Sequence, residues 1–119
     1  MKRIYVCSPL RDNPQDNTKM AQRYCEYVAK KFGFLPVAPH IYFPQFLDDN
    51  IPTEREFCMK AGLFLLSICD ELWYFGGKVS RGMTEEIDAA MRYGIPVKYI
   101  PTHHYDTYLK ERNKSNENQ

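Results

Sequence analysis

The sequence has almost no net charge, no long hydrophobic run and no paired cysteines. It contains 16 basic and 15 acidic residues in 119, a net charge of +1, which offers no electrostatic footprint for a nucleic acid polymer or an anionic membrane. No apolar run approaches the roughly 20 residues that a membrane span needs. We therefore expect no nucleic acid polymer and no membrane as partner, and any anionic ligand should be small and locally bound.

The cysteines and histidines also lack a recognisable pattern. The four cysteines lie far apart, with no C-x-x-C pair and no secretory signal before them. We interpret them as reduced, mostly buried thiols and expect a cytoplasmic protein. His103 and His104 have no partners at metal-ligand spacing, so we assign no metal and no cofactor.

Length and hydrophobic pattern predict one α/β domain over residues 1–112, followed by a polar, disordered tail over 113–119. Strands and helices alternate, which implies a parallel sheet with helices on both faces. We predict a three-layer Rossmann-like (flavodoxin-like) sandwich with a four- or five-stranded parallel sheet. The predicted strands cover 2–7, 34–38, 72–75 and 95–100, and the predicted helices cover about 18–32, 53–69, 80–94 and 107–112, the second of them opening on a Thr53–Glu56 capping box.

The segment 69–94 organises the chain as strand, glycine-rich turn and helix. Ser80 fits the N-cap of this helix and Gly94 fits its left-handed C′ position. Glu86 borders the predicted core-facing stripe and leans toward Gly82, which has no side chain. This places a carboxylate at the carboxyl end of a strand, where open α/β sheets bind ligands. The stripe comprises Met83, Ile87, Ala90 and Met91.

A carboxylate in this position can act as a nucleophile or stabilise a cation at a sugar anomeric carbon. The alternative is a solvated glutamate, which is the common case. Ser80, Arg81 and Gly82 at the helix start could bind an anion. The alternative is a simple N-cap serine, which is common. Ser8 and Arg11 would lie beside this turn if the first and third strands are neighbours.

The segment 39–52 is rich in aromatic residues and proline, and a loop of this length in a small domain is usually functional. Some of its apolar side chains should close one edge of the core. The side chains that can face a ligand are His40, Tyr42, Gln45 and Asp48. The aromatic stretch 42–46, with Tyr105 and Tyr108, should also expose apolar surface. We therefore expect a symmetric homo-oligomer, a dimer or larger.

Three stretches together resemble the nucleoside 2-deoxyribosyltransferase-like superfamily, and most closely its small DUF4406-type members. They are Ile4 to Arg11, the loop APHIYFPQFLDD, and CDELWYFGGKVSRGMTEEIDAA, so that the resemblance spans about residues 2–100. It implies cleavage of the N-glycosidic bond of a deoxynucleoside or its 5′-monophosphate, with the sugar passed to another base or to water.

The resemblance also implies roles for particular residues. Glu86 matches the nucleophile in a pattern like G-x-x-x-E-[IL]-x-x-A, and Ser80, six residues earlier, matches a serine that holds the 5′-phosphate. Tyr5 matches a tyrosine that touches the nucleophile. Ser8 and Arg11 match a Ser- and Arg-containing turn after the first strand. Adding the loop and helix-start residues identified above, we expect the substrate-binding residues to be Ser8, Arg11, His40, Tyr42, Ser80 and Gly82.

One position departs from the superfamily pattern. Where relatives carry an aspartate that assists leaving-group protonation, this chain has Gly62. An acid from the preceding segment could substitute, and we take Asp48 as the candidate, with Asp49, Glu54 and Glu56 as alternatives. If none reaches the site, the protein would be a non-catalytic nucleotide-binding or sensing module instead of an N-glycosidase or deoxyribosyltransferase.

Overall fold

The structure is a computed structural model that describes residues 1–10 and 13–117. Strands and helices alternate through this part of the chain. In order they are β1 (Arg3–Cys7), α1 (Pro14–Phe32), β2 (Leu35–Val37), α2 (Pro39–Tyr42), a 3-10 turn (Phe43–Gln45), α3 (Pro52–Ser67), β3 (Glu71–Phe75), α4 (Arg81–Arg92), β4 (Val97–Ile100) and α5 (Thr102–Glu117).

The described strands form one four-stranded sheet in the order β2-β1-β3-β4, and every neighbouring pair is parallel. The predicted Rossmann-like α/β fold is confirmed. β1 and β3 are neighbours, with Tyr5 opposite Leu72 and Cys7 opposite Tyr74. The turns that follow these two strands therefore lie side by side at the carboxyl edge of the sheet.

Side chains of β1 alternate between the two helical layers because successive residues of a strand point to opposite faces. Ile4 and Val6 belong to the core that α1 and α5 cover. Tyr5 and Cys7 belong to the core on the other face, with residues of α3 and α4. The second layer is the one that carries Glu86, so it positions the candidate site.

Helix α3 begins differently from the prediction. Its N-cap is Ile51, no side chain caps it, and Pro52 occupies its first turn. The Thr53–Glu56 capping box is therefore wrong: proline has a fixed φ suited to the first helical position, which starts the helix before Thr53. In α4 the predicted burial of Met91 in the core-facing stripe is wrong, because Met91 is 64% exposed. Ala89 is buried.

The segment 39–52 contains more regular structure than its sequence suggests, namely α2 and the 3-10 turn. Phe43 is buried, whereas Tyr42 and Phe46 are exposed. The expected exposure of Tyr105 is wrong: its ring packs edge-on against Tyr24, with 5.4 Å between ring centroids.

Helix α5 is longer than the predicted 107–112 at both ends, and its backbone is helical through Glu117. The part of the predicted tail at 118 and 119 lies outside the described residues. No helix among residues 1–10 and 13–117 has the length and apolar character to cross a membrane.

Candidate active site

Helix α4 is capped as its sequence predicts. The Ser80 hydroxyl accepts a hydrogen bond from the Met83 backbone N–H at 3.3 Å. Gly94, just past the helix, has the left-handed φ of +72° that favours glycine. A Cβ added at Gly82 would meet nothing within 4 Å. The first turn of α4 therefore has open space beside it, bordered by a serine hydroxyl.

Glu86 lies one turn further along α4 and approaches the sheet. The residue is partly buried, and its Oε2 atom is buried without a hydrogen-bond partner among the described residues. The Tyr5 hydroxyl and the Cys7 thiol interact with its carboxyl group, although neither meets strict hydrogen-bond geometry with Oε2. Glu86 thus does not point into bulk solvent.

Burial raises the pKa of Glu86 to about 7, because an ionised carboxylate loses hydration there. Hydrogen bonding to Tyr5 and Cys7 lowers the pKa, and the neighbouring charge of Glu85 raises it. Both protonation states of Glu86 are consequently populated near neutral pH. Perturbed carboxyl groups of this kind are typical of functional sites.

The two groups of β1 beside Glu86 hold their protons firmly. Burial, reinforced by the charge of Glu86, raises the pKa of Tyr5 well above its usual value and also raises that of Cys7. Both groups are therefore neutral hydrogen-bond donors at physiological pH. Tyr5 can orient the carboxylate, while the Cys7 thiol donates to the Met83 carbonyl oxygen at 3.9 Å. Both groups are poor sources of a proton.

Gly62 lies on α3 beside the same group. A Cβ placed there would be 3.7 Å from the Tyr5 hydroxyl, an ordinary contact, and would meet nothing else within 4 Å. The position at which the resemblance leads one to expect an aspartate is therefore adjacent to Tyr5. In this chain that place holds no side chain and no acid.

Ser8 and His40 form a second pair, at the end of β1. The Ser8 Oγ and His40 Nε2 atoms lie 2.9 Å apart in a hydrogen bond. Burial lowers the pKa of His40 to about 4, so the ring is neutral near pH 7. This bond fixes the start of α2 above the carboxyl end of β1.

Asp48 and Tyr42, two further predicted site residues, have partners other than Glu86. The exposed Asp48 caps its own loop, its carboxylate accepting from the Asn50 N–H at 2.9 Å. Tyr42 is exposed and packs against Phe46, with 5.1 Å between ring centroids. Arg11 lies outside the described residues.

The alternative acids Asp49, Glu54 and Glu56 each interact with other residues. Glu54 accepts from the Asp48 N–H at 3.2 Å, and Glu56 pairs with Lys60 at 3.0 Å. Asp49 also interacts with another residue. No hydrogen bond between Glu86 and Asp48, Glu54 or Glu56 is found in the described part of the chain.

The sequence analysis missed the position of Cys7 beside Glu86. The sequence contained the signal: Cys7 follows Tyr5 by two residues on a strand, so both side chains point to one face.

Two open cavities, of about 430 and about 400 Å³, border α1, and Glu86 lines neither of them. Residues 1–10 and 13–117 contain no cluster of three or more potential metal ligands.

Fold and geometry define a Rossmann-like α/β domain with a partly buried carboxyl group near the carboxyl edge of its parallel sheet, one oxygen of which has no hydrogen-bond partner among the described residues. The chain belongs to the DUF7768 family, described as a domain of unknown function, whose model matches residues 2–100. The matching family is thus DUF7768, and the expected DUF4406 type was not found. No curated protein matches the chain.

A solved structure of a 2-deoxyribosyltransferase from Bacillus psychrosaccharolyticus is similar in fold. The two superpose with a TM-score of 0.64 at 20% sequence identity, over 83% of this chain and 72% of the other. At that identity the likeness establishes the shared α/β fold.

Proposed function

We propose that the protein cleaves the N-glycosidic bond of a small nucleoside or nucleoside 5′-monophosphate, with Glu86 as the nucleophile. The sugar passes either to another base or to water, as in an N-glycosidase or a deoxyribosyltransferase. The observation that supports this most is the buried Oε2 atom of Glu86, which lies beside Tyr5 and has no hydrogen-bond partner among the described residues. The fold shared with a 2-deoxyribosyltransferase adds support.

In the proposed reaction the ionised Glu86 attacks the anomeric carbon while the base departs, and an acceptor then displaces the carboxylate from the sugar. Tyr5 orients the carboxylate through its hydroxyl. The sugar or base is bound by Ser8, His40, Tyr42 and Arg11, the last of which lies outside the described residues. These roles depend on a substrate that lies across the carboxyl end of β1.

A 5′-phosphate would bind at the start of α4. The positive end of a helix dipole and its backbone N–H groups favour negative charge, and the open space at Gly82 leaves room for it. Ser80 supplies a hydroxyl at the same end. A monophosphate should therefore bind more tightly than its nucleoside.

A second candidate function is nucleotide binding or sensing without turnover. The specific observation in its favour is that Asp48 is engaged in its own loop and that Gly62 provides no acid beside Tyr5. Such a module would bind a nucleotide at the start of α4 and release it unchanged.

Incubation with a panel of nucleosides and their 5′-monophosphates, followed by chromatography for free base, separates the two functions. We expect the wild type to release base. In Glu86→Gln, which keeps the size of the side chain but removes its charge, the rate of base release should fall by orders of magnitude. Glu85→Gln is the matched control, because Glu85 is a more exposed neighbour that pairs loosely with Arg81 at 3.8 Å. Binding without base release would support the sensor, and full activity in Glu86→Gln would refute the assignment of Glu86.

We also propose that the protein forms a symmetric homo-oligomer, as the sequence predicts, and that it works in the cytoplasm. Large apolar side chains are exposed along α3, notably Phe57 at 55% and Phe64 at 66%, and Tyr42 and Phe46 are exposed nearby in the chain. Exposed apolar patches of this kind often mark interfaces. Light scattering at micromolar concentration should give a dimer or larger, and Phe64→Lys should shift it toward the monomer; a wild-type monomer would contradict the proposal.

A further inference from the structure

We propose that Met83 determines the preference of the site for a 5′-monophosphate over its nucleoside. Met83 caps the start of α4 with a neutral sulfur atom, so that this end of the helix stays suited to an anionic group of the substrate. The inference rests on the proposed function and deepens it at the phosphate end of the same site. It is carried by the contacts that Met83 makes with Ser80 and Cys7.

Ser80 and Met83 cap α4 reciprocally. The Met83 backbone N–H donates to the Ser80 Oγ atom at 3.3 Å, and the Ser80 backbone N–H donates to the Met83 Sδ atom at 3.5 Å. This is the arrangement of a capping box, whose third helical residue is usually a glutamate or glutamine. In α4 a thioether sulfur takes the place of the carboxylate or amide oxygen.

The surroundings of Met83 explain why a thioether suits this position. Met83 is only 1% exposed and belongs to the core layer that contains Tyr5 and Cys7. A carboxylate would lose its hydration there, whereas a thioether is apolar and carries no charge. The Cys7 thiol donates to the Met83 carbonyl oxygen at 3.9 Å, which ties the first turn of α4 to β1. Met83 is therefore held in place from both the helix and the sheet.

The neutral cap has an electrostatic consequence. Backbone N–H groups give a helix N-terminus a partial positive charge, which a glutamate at the third position normally offsets. In α4, which lies wholly within the described residues, the first turn contains no acidic residue. The Ser80 hydroxyl accepts from Met83 but still has its own hydrogen to donate. A phosphate provides both an acceptor and a negative charge, whereas the 5′-hydroxyl of a nucleoside provides only an acceptor.

Two substitutions of similar size test the role of this neutral atom. Met83→Gln keeps a neutral acceptor for the Ser80 N–H, and Met83→Glu supplies the same acceptor with a negative charge. We define the phosphate preference as the dissociation constant of a nucleoside divided by that of its 5′-monophosphate. This preference should be about 10-fold or more lower in Met83→Glu than in Met83→Gln, because two negative charges a few ångströms apart repel each other.

Isothermal titration calorimetry with 2′-deoxynucleosides and their 5′-monophosphates gives the phosphate preference of each variant. For a pair that the protein cleaves, the ratio of the two kcat/KM values is measured instead. Met91→Glu is the matched control for the added charge, because Met91 lies near the other end of α4 and is 64% exposed. It should leave the phosphate preference unchanged. Thermal melting checks that each variant folds.

Met83→Leu gives a second comparison that holds even when the charged variant does not fold. Leucine preserves the volume and apolar character of methionine but cannot accept the Ser80 N–H. The phosphate preference should therefore fall about 2- to 10-fold in Met83→Leu, the range of one hydrogen bond, and should be retained in Met83→Gln. A purely structural role would weaken the binding of nucleoside and monophosphate equally and leave their ratio unchanged.

The outcomes separate this proposal from the proposed function. Equal phosphate preferences in folded Met83→Glu and Met83→Gln would overturn the role of Met83 and leave the N-glycosidase function standing. Where Met83→Glu does not fold, equal preferences in Met83→Leu and Met83→Gln would do the same, as would a wild type without any phosphate preference. Binding without release of base would overturn the enzymatic function alone, since the preference is still measured by calorimetry. Binding of no nucleoside and no monophosphate would overturn both.

Discussion

Replacing Glu86 by glutamine should stabilise the protein, but only at pH values at which the carboxyl group of the wild type would be ionised. The Oε2 atom of this carboxylate is buried without a hydrogen-bond partner among the described residues, and burial raises the pKa of the group, so its ionisation costs free energy in the folded state. Glutamine has nearly the same shape and carries no charge. The structure therefore predicts that a residue needed for activity destabilises the fold.

The size and sign of the effect follow from the two pKa values. The pKa of Glu86 is about 7 in the folded protein and 4.5 in the reference state. Between these values the folded state binds more protons than the unfolded state, so the free energy of unfolding falls as pH rises from 4.5 to 7. At 1.36 kcal/mol for each pKa unit, the loss above pH 7 is at most about 3 kcal/mol, and partial exposure reduces it.

Urea denaturation of the wild type and Glu86→Gln at several pH values measures this directly. The difference in free energy of unfolding should be smallest at pH 4 and should grow by about 2 to 3 kcal/mol by pH 8. Glu85→Gln is the control, because its side chain is 59% exposed, and its difference should stay within about 0.5 kcal/mol. A difference for Glu86→Gln that does not change with pH would refute the reasoning.

Three further predictions concern the rest of the site. His40 has a lowered pKa of about 4, so the stability it contributes is present above pH 6.5 and is lost as pH falls toward 4; His40→Gln should flatten this acid limb in urea titrations. Ser80→Ala should cost about 1 kcal/mol of stability through the lost N-cap and weaken monophosphate binding by about 1 to 3 kcal/mol in calorimetry, with little effect on the nucleoside and with Ser80→Thr as the conservative control. With a nucleoside that the wild type cleaves, kcat/KM should rise through about pH 7 as Glu86 ionises; among the described residues Tyr5, Cys7 and Glu85 act on its titration, and a value that does not change through about pH 7 would contradict the reasoning.

The sheet and α4 were predictable because their signals are local. The alternation in β1, the glycines after β3 and the serine that caps α4 all act within a few residues, and the structure has each element where the pattern indicates it. The pairing of β1 with β3 could not be predicted from the sequence and was only assumed there. Pairing between distant strands depends on the packing of the whole sheet.

Other features depend on contacts that no local pattern encodes. Tyr105 is buried because α1 supplies Tyr24 and Tyr27 as ring partners, and these lie some 80 residues earlier in the chain. The burial of the Glu86 Oε2 atom, which has no hydrogen-bond partner among the described residues, likewise depends on side chains that a distant strand, β1, places beside it. Spacing on α4 could identify the carboxylate as unusual, but not its lack of a partner.

The central claim is that Glu86 forms a covalent bond to the sugar. Mass spectrometry of the protein after reaction with a 2′-fluoro nucleoside tests it most directly, because the fluorine slows release of the sugar ester. The account predicts a mass increase of one glycosyl group on the peptide that contains Glu86, and no increase in Glu86→Gln. Release of base with the glycosyl group attached to another residue, or with the same adduct in Glu86→Gln, would contradict it.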